Sequence, residues 1–143
     1  MKLLTAAGDR LRRADGLPAV LDAACDAFED ILAIIGAYED TTARTATAIV
    51  FLLAATQAAN GRDAALFAPS LPPGSLRPRP ATGQPQRETT DDITTAVADL
   101  SRLLASRLAA TATIAAAAAD RAACNDAAHC ARQVTDLLTG ENP

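Results

Sequence analysis

Between residues 21 and 59 the chain carries an unbroken run of heptad spacing. Steps of three and four residues give Leu21, Ala24, Phe28, Ile31, Ile35, Tyr38, Thr42, Thr45, Ile49, Leu52, Thr56 and Ala59. A stripe that repeats every ~3.5 residues makes a helix wrap along a partner helix. One helix of that extent would be ~60 Å long at ~1.5 Å per residue. A compact domain of 143 residues accommodates it only if it pairs along its length or breaks.

Composition points the same way. Half of the residues are hydrophobic, but alanine dominates them, only 3% are aromatic and there is no Trp. Alanine is the best helix former and buries little area, so the class is all-α with a thin core. Alternating Val, Ile, Tyr and Phe, which a sheet would need, are missing. The excess of Ala, and of Arg over the single Lys2, matches the codon bias of a GC-rich bacterial genome.

Proline and glycine divide the chain. Residues 1–15 read as a short amphipathic helix with Leu3, Leu4, Ala7 and Leu11 on one face, ended by Asp15-Gly16. Pro18 suits the first turn of the next helix, which the spacing predicts over 18–60 with Asn60-Gly61 as its stop. Gly36 and the capping-type Asp40-Thr41-Thr42 are the two places where it could break. Six prolines fall within 69–87, an extended linker. Thr89 with Asp92 forms a capping box that opens a second long helix over 90–139, stopped by Gly140. Folding the two long helices back across the linker would bring Cys25 beside Cys124, Asp30 near Arg121 and Tyr38 near Thr111. The expected architecture is a long antiparallel helical hairpin with a short N-terminal helix, completing a four-helix bundle by dimerisation.

Charge and targeting signals narrow the setting. The net charge is -4, and an acidic chain repels phosphate backbones, so nucleic acid is not expected as a partner. Arg10, Arg12 and Arg13 read as a solvated helix end. The opening Met1-Lys2-Leu3-Leu4 loses its apolar character at Gly8-Asp9-Arg10, too soon for a secretory signal. The apolar stretch 46–59 is shorter than the ~20 residues a membrane span needs. Three cysteines without an export signal point to reduced thiols and a cytoplasmic location.

Chemistry-bearing motifs are sparse. Cys124, Asn125, Asp126, His129 and Cys130 cluster in sequence, and Asp126, His129 and Cys130 share a helical face. One helix supplies too few converging ligands for a zinc site, so no metal or cofactor is expected. The single His has no nucleophile at a recognisable spacing. There is no glycine-rich phosphate loop, and no Glu-x-x-His pair for a di-metal bundle. The threonines at 42, 45 and 56 read as hydroxyls bonded back to their own helix, or as a register-setting polar layer. The hairpin outline is similar to small secreted substrates of actinobacterial specialised export. That family's Trp-x-Gly turn is absent here, and the fourth residue after Tyr38 is Thr42 rather than an acid, so its properties are not carried over.

The sequence therefore reads as a non-enzymatic helical-bundle interaction or scaffold protein that self-associates. Its seam is Leu21, Phe28, Ile31, Ile35, Tyr38, Ile49 and Leu52, and its expected partner is a second copy, with a further protein partner as an option. Two other readings remain open. One is a bundle holding a small apolar ligand or metal through Tyr38, Thr42, Thr45 or the Cys124/His129 pair. The other is an exported hairpin effector.

Overall fold

Each of the two long helices expected from the sequence is broken in two. A computed structural model describes residues 2–42, 46–75 and 89–140. It places five helices there: α1 (Lys2–Arg13), α2 (Leu17–Thr42), α3 (Ala46–Leu66), α4 (Thr90–Ile114) and α5 (Ala118–Thr139). The all-α class holds. The continuous helices over 18–60 and 90–139 do not, and a hairpin of two long helices is replaced by a bundle closed within one chain.

The first break separates α2, which ends at Thr42, from α3, which begins at Ala46. It lets α3 fold back along α2. Glu29 pairs with Arg62 at 2.7 Å, and the Tyr38 ring meets Phe51 edge-on with centroids 5.5 Å apart. Rising numbers on one helix thus meet falling numbers on the other. Interrupting a helix sacrifices a few backbone bonds. Folding back buries Phe51, Ala54, Ala58 and Ala65 of α3 together with Phe28, Ile31 and Ile35 of α2, a larger return by area.

The second break has no helix-breaking residue at all. Ala115 and Ala117 adopt extended backbone angles within an all-alanine stretch. A local contact and a long-range one hold it. Arg121 Nη1 donates to the carbonyls of Ala115 and Ala116 at 2.9 and 2.8 Å, satisfying acceptors that the end of α4 would leave open. Buried Asp120, in the first turn of α5, accepts from the Ser70 amide and hydroxyl at 3.0 and 2.6 Å.

The four long helices form a ring in the order α2, α3, α5, α4, each packed on its two neighbours. All neighbours are antiparallel. Gly61 of α3 lies at Cys130 of α5, whereas Val50 and Phe51 lie at Leu137 and Leu138. Tyr38, late in α2, shares a hydroxyl hydrogen bond with Thr90 at the start of α4. Consecutive α3 and α4 are consequently parallel and diagonal. The segment between them leaves α3 bonded to the bundle: Leu71 is partly buried, Ser75 is buried, and Ser70 holds Asp120. The expected linker over 69–87 is therefore packed in its first residues, and 76–87 lie outside the described residues.

Helix α1 closes the groove between α2 and α4. It inserts Leu4, Ala7 and Leu11 into the core. Arg10 bridges Asp26 and the buried Asp30 of α2 at 2.7 and 3.2 Å. Arg107 of α4 donates to the Leu11 and Ala14 carbonyls, capping the C-terminus of α1 from another helix. Asp30 and Tyr38 thus have partners other than Arg121 and Thr111. The pairing expected from a simple hairpin assumed that α2 lies directly against the late part of the chain, and α3 intervenes. All three cysteines are free.

Gly61 is not a helix stop. The helix runs on to Leu66, and a Cβ on Gly61 would sit 2.5 Å from the Phe28 ring and 3.2 Å from Cys130 Cβ. Glycine is there because Phe28, the largest fully buried side chain of α2, needs its space.

Candidate self-association surface

The heptad seam divides at the first break. In α2 it faces the bundle interior: Leu21, Ala24, Phe28, Ile31 and Ile35 are fully buried, and Tyr38 is partly buried. Those side chains pack within their own chain and are not a surface. In α3 the phase relative to the core shifts. Phe51, Ala54, Ala58, Gly61 and Ala65 face inward, while Ile49 and Leu52 of the seam point outward, 63% and 59% exposed. Thr56 is exposed, with its hydroxyl bonded to the Leu52 carbonyl at 3.0 Å. Thr45 and the side chain of Thr42 lie outside the described residues.

The exposed residues of α3 and the turn after it are Ala46, Ile49, Leu52, Leu53, Thr56, Asn60, Asp63 and Phe67. Without Leu52 they are spaced three, four, three, four, three and four residues apart. This is a heptad stripe facing solvent. Phe67 is 82% exposed and Leu53 48%. From Ala46 to Gly61 the helix contains no charged residue on any side. A helix apolar all round is ordinarily buried all round, and here one face is open. Exposed faces of α1, α4 and α5 carry charge: Arg12 and Arg13 on α1, Asp99 and Arg102 on α4, Asp126 and Arg132 on α5.

Sequence reasoning found Ile49 and Leu52 but stopped the stripe at Ala59, which is half-buried. The continuation through Asn60, Asp63 and Phe67 was legible in the spacing. It was hidden because Asn60-Gly61 looked like a helix end.

Cys124 is buried, Asp126 and His129 are exposed, and Cys130 is half-buried, so the expected cluster does not converge. Among the described residues no group of three or more His, Cys, Asp or Glu side chains could hold a metal ion. All three thiols resist ionisation. Burial, reinforced by Asp22, Asp26 and Glu29, pushes Cys25 up to about 12. Burial with Asp120 raises Cys124, and burial with Asp126 raises Cys130. Such thiols are poor nucleophiles.

A cleft of about 420 Å³ opens at the pole where α3 and α4 begin and α5 ends. Val50, Phe51, Leu137 and Leu138 give it an apolar wall, and Thr47, Thr90 and Thr94 supply hydroxyls. No helix of the described residues is long and apolar enough to cross a membrane. Comparison with protein families, with curated proteins and with solved structures finds no match for this chain.

Proposed function

We propose that this protein is a non-enzymatic helical scaffold that acts by self-association through the outer face of α3. The observation that carries the reading is the open stripe of Ile49, Leu52 and Leu53 on a helix without charge from Ala46 to Gly61. The chain's own undescribed residues offer little to cover it. Residues 1, 43–45, 76–88 and 141–143 include two large hydrophobic side chains, Met1 and Leu76. Exposed apolar surface of this kind marks interaction sites. Light scattering across a concentration series tests the reading. Dimer should grow with concentration, and Leu52→Glu should abolish it while leaving the melting temperature unchanged. Wild-type protein that stays monomeric throughout would overturn it.

A second reading has its own observation. The polar cleft is within the ~300–1,000 Å³ range of ligand sites, and its threonine hydroxyls around an apolar wall suit a small apolar molecule with one polar group. The residues expected for this role were Tyr38, Thr42, Thr45 or the Cys124/His129 pair, and neither Cys124 nor His129 lines the cleft. Tyr38 stands behind two lining residues, sharing a hydroxyl hydrogen bond with Thr90 and an edge-on ring contact with Phe51, while the side chains of Thr42 and Thr45 lie outside the described residues. Thermal-shift screening of apolar alcohols against wild type and Val50→Glu separates this reading from the first. A ligand that stabilises only the wild type without changing oligomeric state would favour it.

A further inference from the structure

We infer that the occupant of the α3 face is a second copy of this chain, set antiparallel in one register that seats Phe67 of each copy on Ile49 of the other. The inference rests on the self-association reading and adds the geometry.

The spacing along the stripe is its own reverse. Reading from Ile49 to Phe67, the exposed heptad positions are Ile49, Leu53, Thr56, Asn60, Asp63 and Phe67. It is apolar at Ile49, Leu53 and Phe67 and polar at Thr56, Asn60 and Asp63. Reversing this series and laying it on itself places Ile49 opposite Phe67, Leu53 opposite Asp63 and Thr56 opposite Asn60. Every position of the stripe then meets another position of the stripe, as a two-fold contact requires. The Thr56–Asn60 layer forms twice, on either side of the axis. A polar layer with an Asn in a heptad seam is a known device for fixing register.

Phe67 is the anchor. It is the most exposed large hydrophobic side chain among the described residues, and it stands in the turn that follows α3, at the opposite end of the stripe from Ile49. Its amide bonds to the Ala64 carbonyl at 3.2 Å, which holds the residue in a tight final turn after α3. An aromatic side chain seated on a partner's aliphatic patch is a common interface anchor. Leu52, beside the stripe, widens the patch that receives it.

Charge favours a second copy over a charged partner. The chain has net charge -4, which would oppose pairing on most of its faces. The contact face is neutral up to Arg62 and Asp63, and Asp63 is already paired with Arg62 at 3.0 Å. The area sets the strength. The stripe is about 27 Å long and one helix wide, which puts the contact at the small end of specific interfaces, under ~1,200 Å² in total. The dimer is therefore reversible, not obligate.

The competing register places Ile49 opposite Leu53 and centres the axis near Leu52, leaving Phe67 outside the contact. Single-cysteine variants distinguish the two. In a Cys130→Ala background, with the two buried cysteines retained, Asn60→Cys and Ile49→Cys are each treated with a short bis-maleimide at concentrations where wild type dimerises. The proposed register puts the two copies of residue 60 within about 6 Å along the axis and the two copies of residue 49 about 27 Å apart. Asn60→Cys should cross-link to itself and Ile49→Cys should not. Cross-linking of Ile49→Cys but not Asn60→Cys, or of both, overturns the register while leaving self-association standing. Phe67→Asp gives an independent measure and should weaken dimerisation at least tenfold. A Phe67→Asp dimer as strong as wild type, with Leu52→Glu monomeric, again overturns the inference alone. Wild type that neither dimerises nor cross-links overturns both the inference and the reading beneath it.

Discussion

Glycine and cysteine give the sharpest tests at the scale of single residues. Gly36 and Gly61 both sit inside helices, where alanine is intrinsically better by ~1 kcal/mol. Their surroundings are opposite. Gly36 is exposed, with nothing within 4 Å of where a Cβ would stand. Gly61 is buried against Phe28. Gly36→Ala should therefore stabilise by up to ~1 kcal/mol. Gly61→Ala should destabilise by about 1–3 kcal/mol through overpacking. Denaturant titrations of the two variants check both signs, and equal effects would contradict the close α2–α3 approach. Cys25 makes a prediction in pH. Its thiol is raised from 9.0 to about 12 by burial and neighbouring acids, so the folded state holds the proton more tightly than the unfolded state. The stability tied to that proton is complete below pH 9.0 and is lost as pH rises toward 12. Wild type should lose stability relative to Cys25→Ala across that window and not below it. A difference that is flat with pH would count against the burial of the thiol among those acids.

At the scale of elements, the two helix breaks differ in what supports them. Thr89 caps α4 with the reciprocal bonds of a capping box: Asp92 N donates to the Thr89 hydroxyl oxygen and Thr89 N to the Asp92 carboxylate, both at 3.1 Å. That start was legible because the box is a local sequence pattern. The start of α5 has an exposed alanine, Ala117, in the N-cap position, with no side-chain cap bond. Ala117→Ser should supply the missing acceptor and stabilise by about 0.5–2 kcal/mol. Thermal melts decide it. If α4 ran unbroken into α5, the same substitution would sit inside a helix and destabilise slightly. The break at 115–117 was not legible because nothing in an alanine run opposes helix. It is held by Arg121 on the Ala115 and Ala116 carbonyls and by Asp120 on Ser70, and only the second of these contacts is tertiary. The buried half of the seam was legible element by element, since Leu21, Phe28, Ile31 and Ile35 follow the helical period and are all in the core.

At the scale of the whole molecule, closing the bundle within one chain changes what a core substitution means. Ile35 was expected at the centre of a seam between copies, and it lies inside a single chain, 1% exposed. Ile35→Asp should unfold the monomer, because an unpaired carboxylate in that position costs several kcal/mol. Leu52→Glu, on the outer face, should leave the fold intact. His129 is exposed, and His129→Ala should be silent in the same melts. Circular dichroism of the three variants separates core from surface. Loss of helicity in Leu52→Glu would mean that the outer stripe also packs within the chain.

The sequence by itself determined the helical class, the ends marked by Gly16, Thr89 and Gly140, and the α2 residues that form the core. These follow from local rules: propensity, capping and the spacing of apolar side chains along one helix. Only the tertiary structure decided where the long helical stretches break and which half of the seam faces out. Phe28 and Phe51 both need partners, and folding α3 back on α2 buries both within one chain. With Phe51 turned inward, the geometry of a helix requires Ile49, Leu52 and Leu53 to turn away. A heptad spacing gives the faces of a helix but not which face meets its own chain, because that depends on the area each arrangement removes from water.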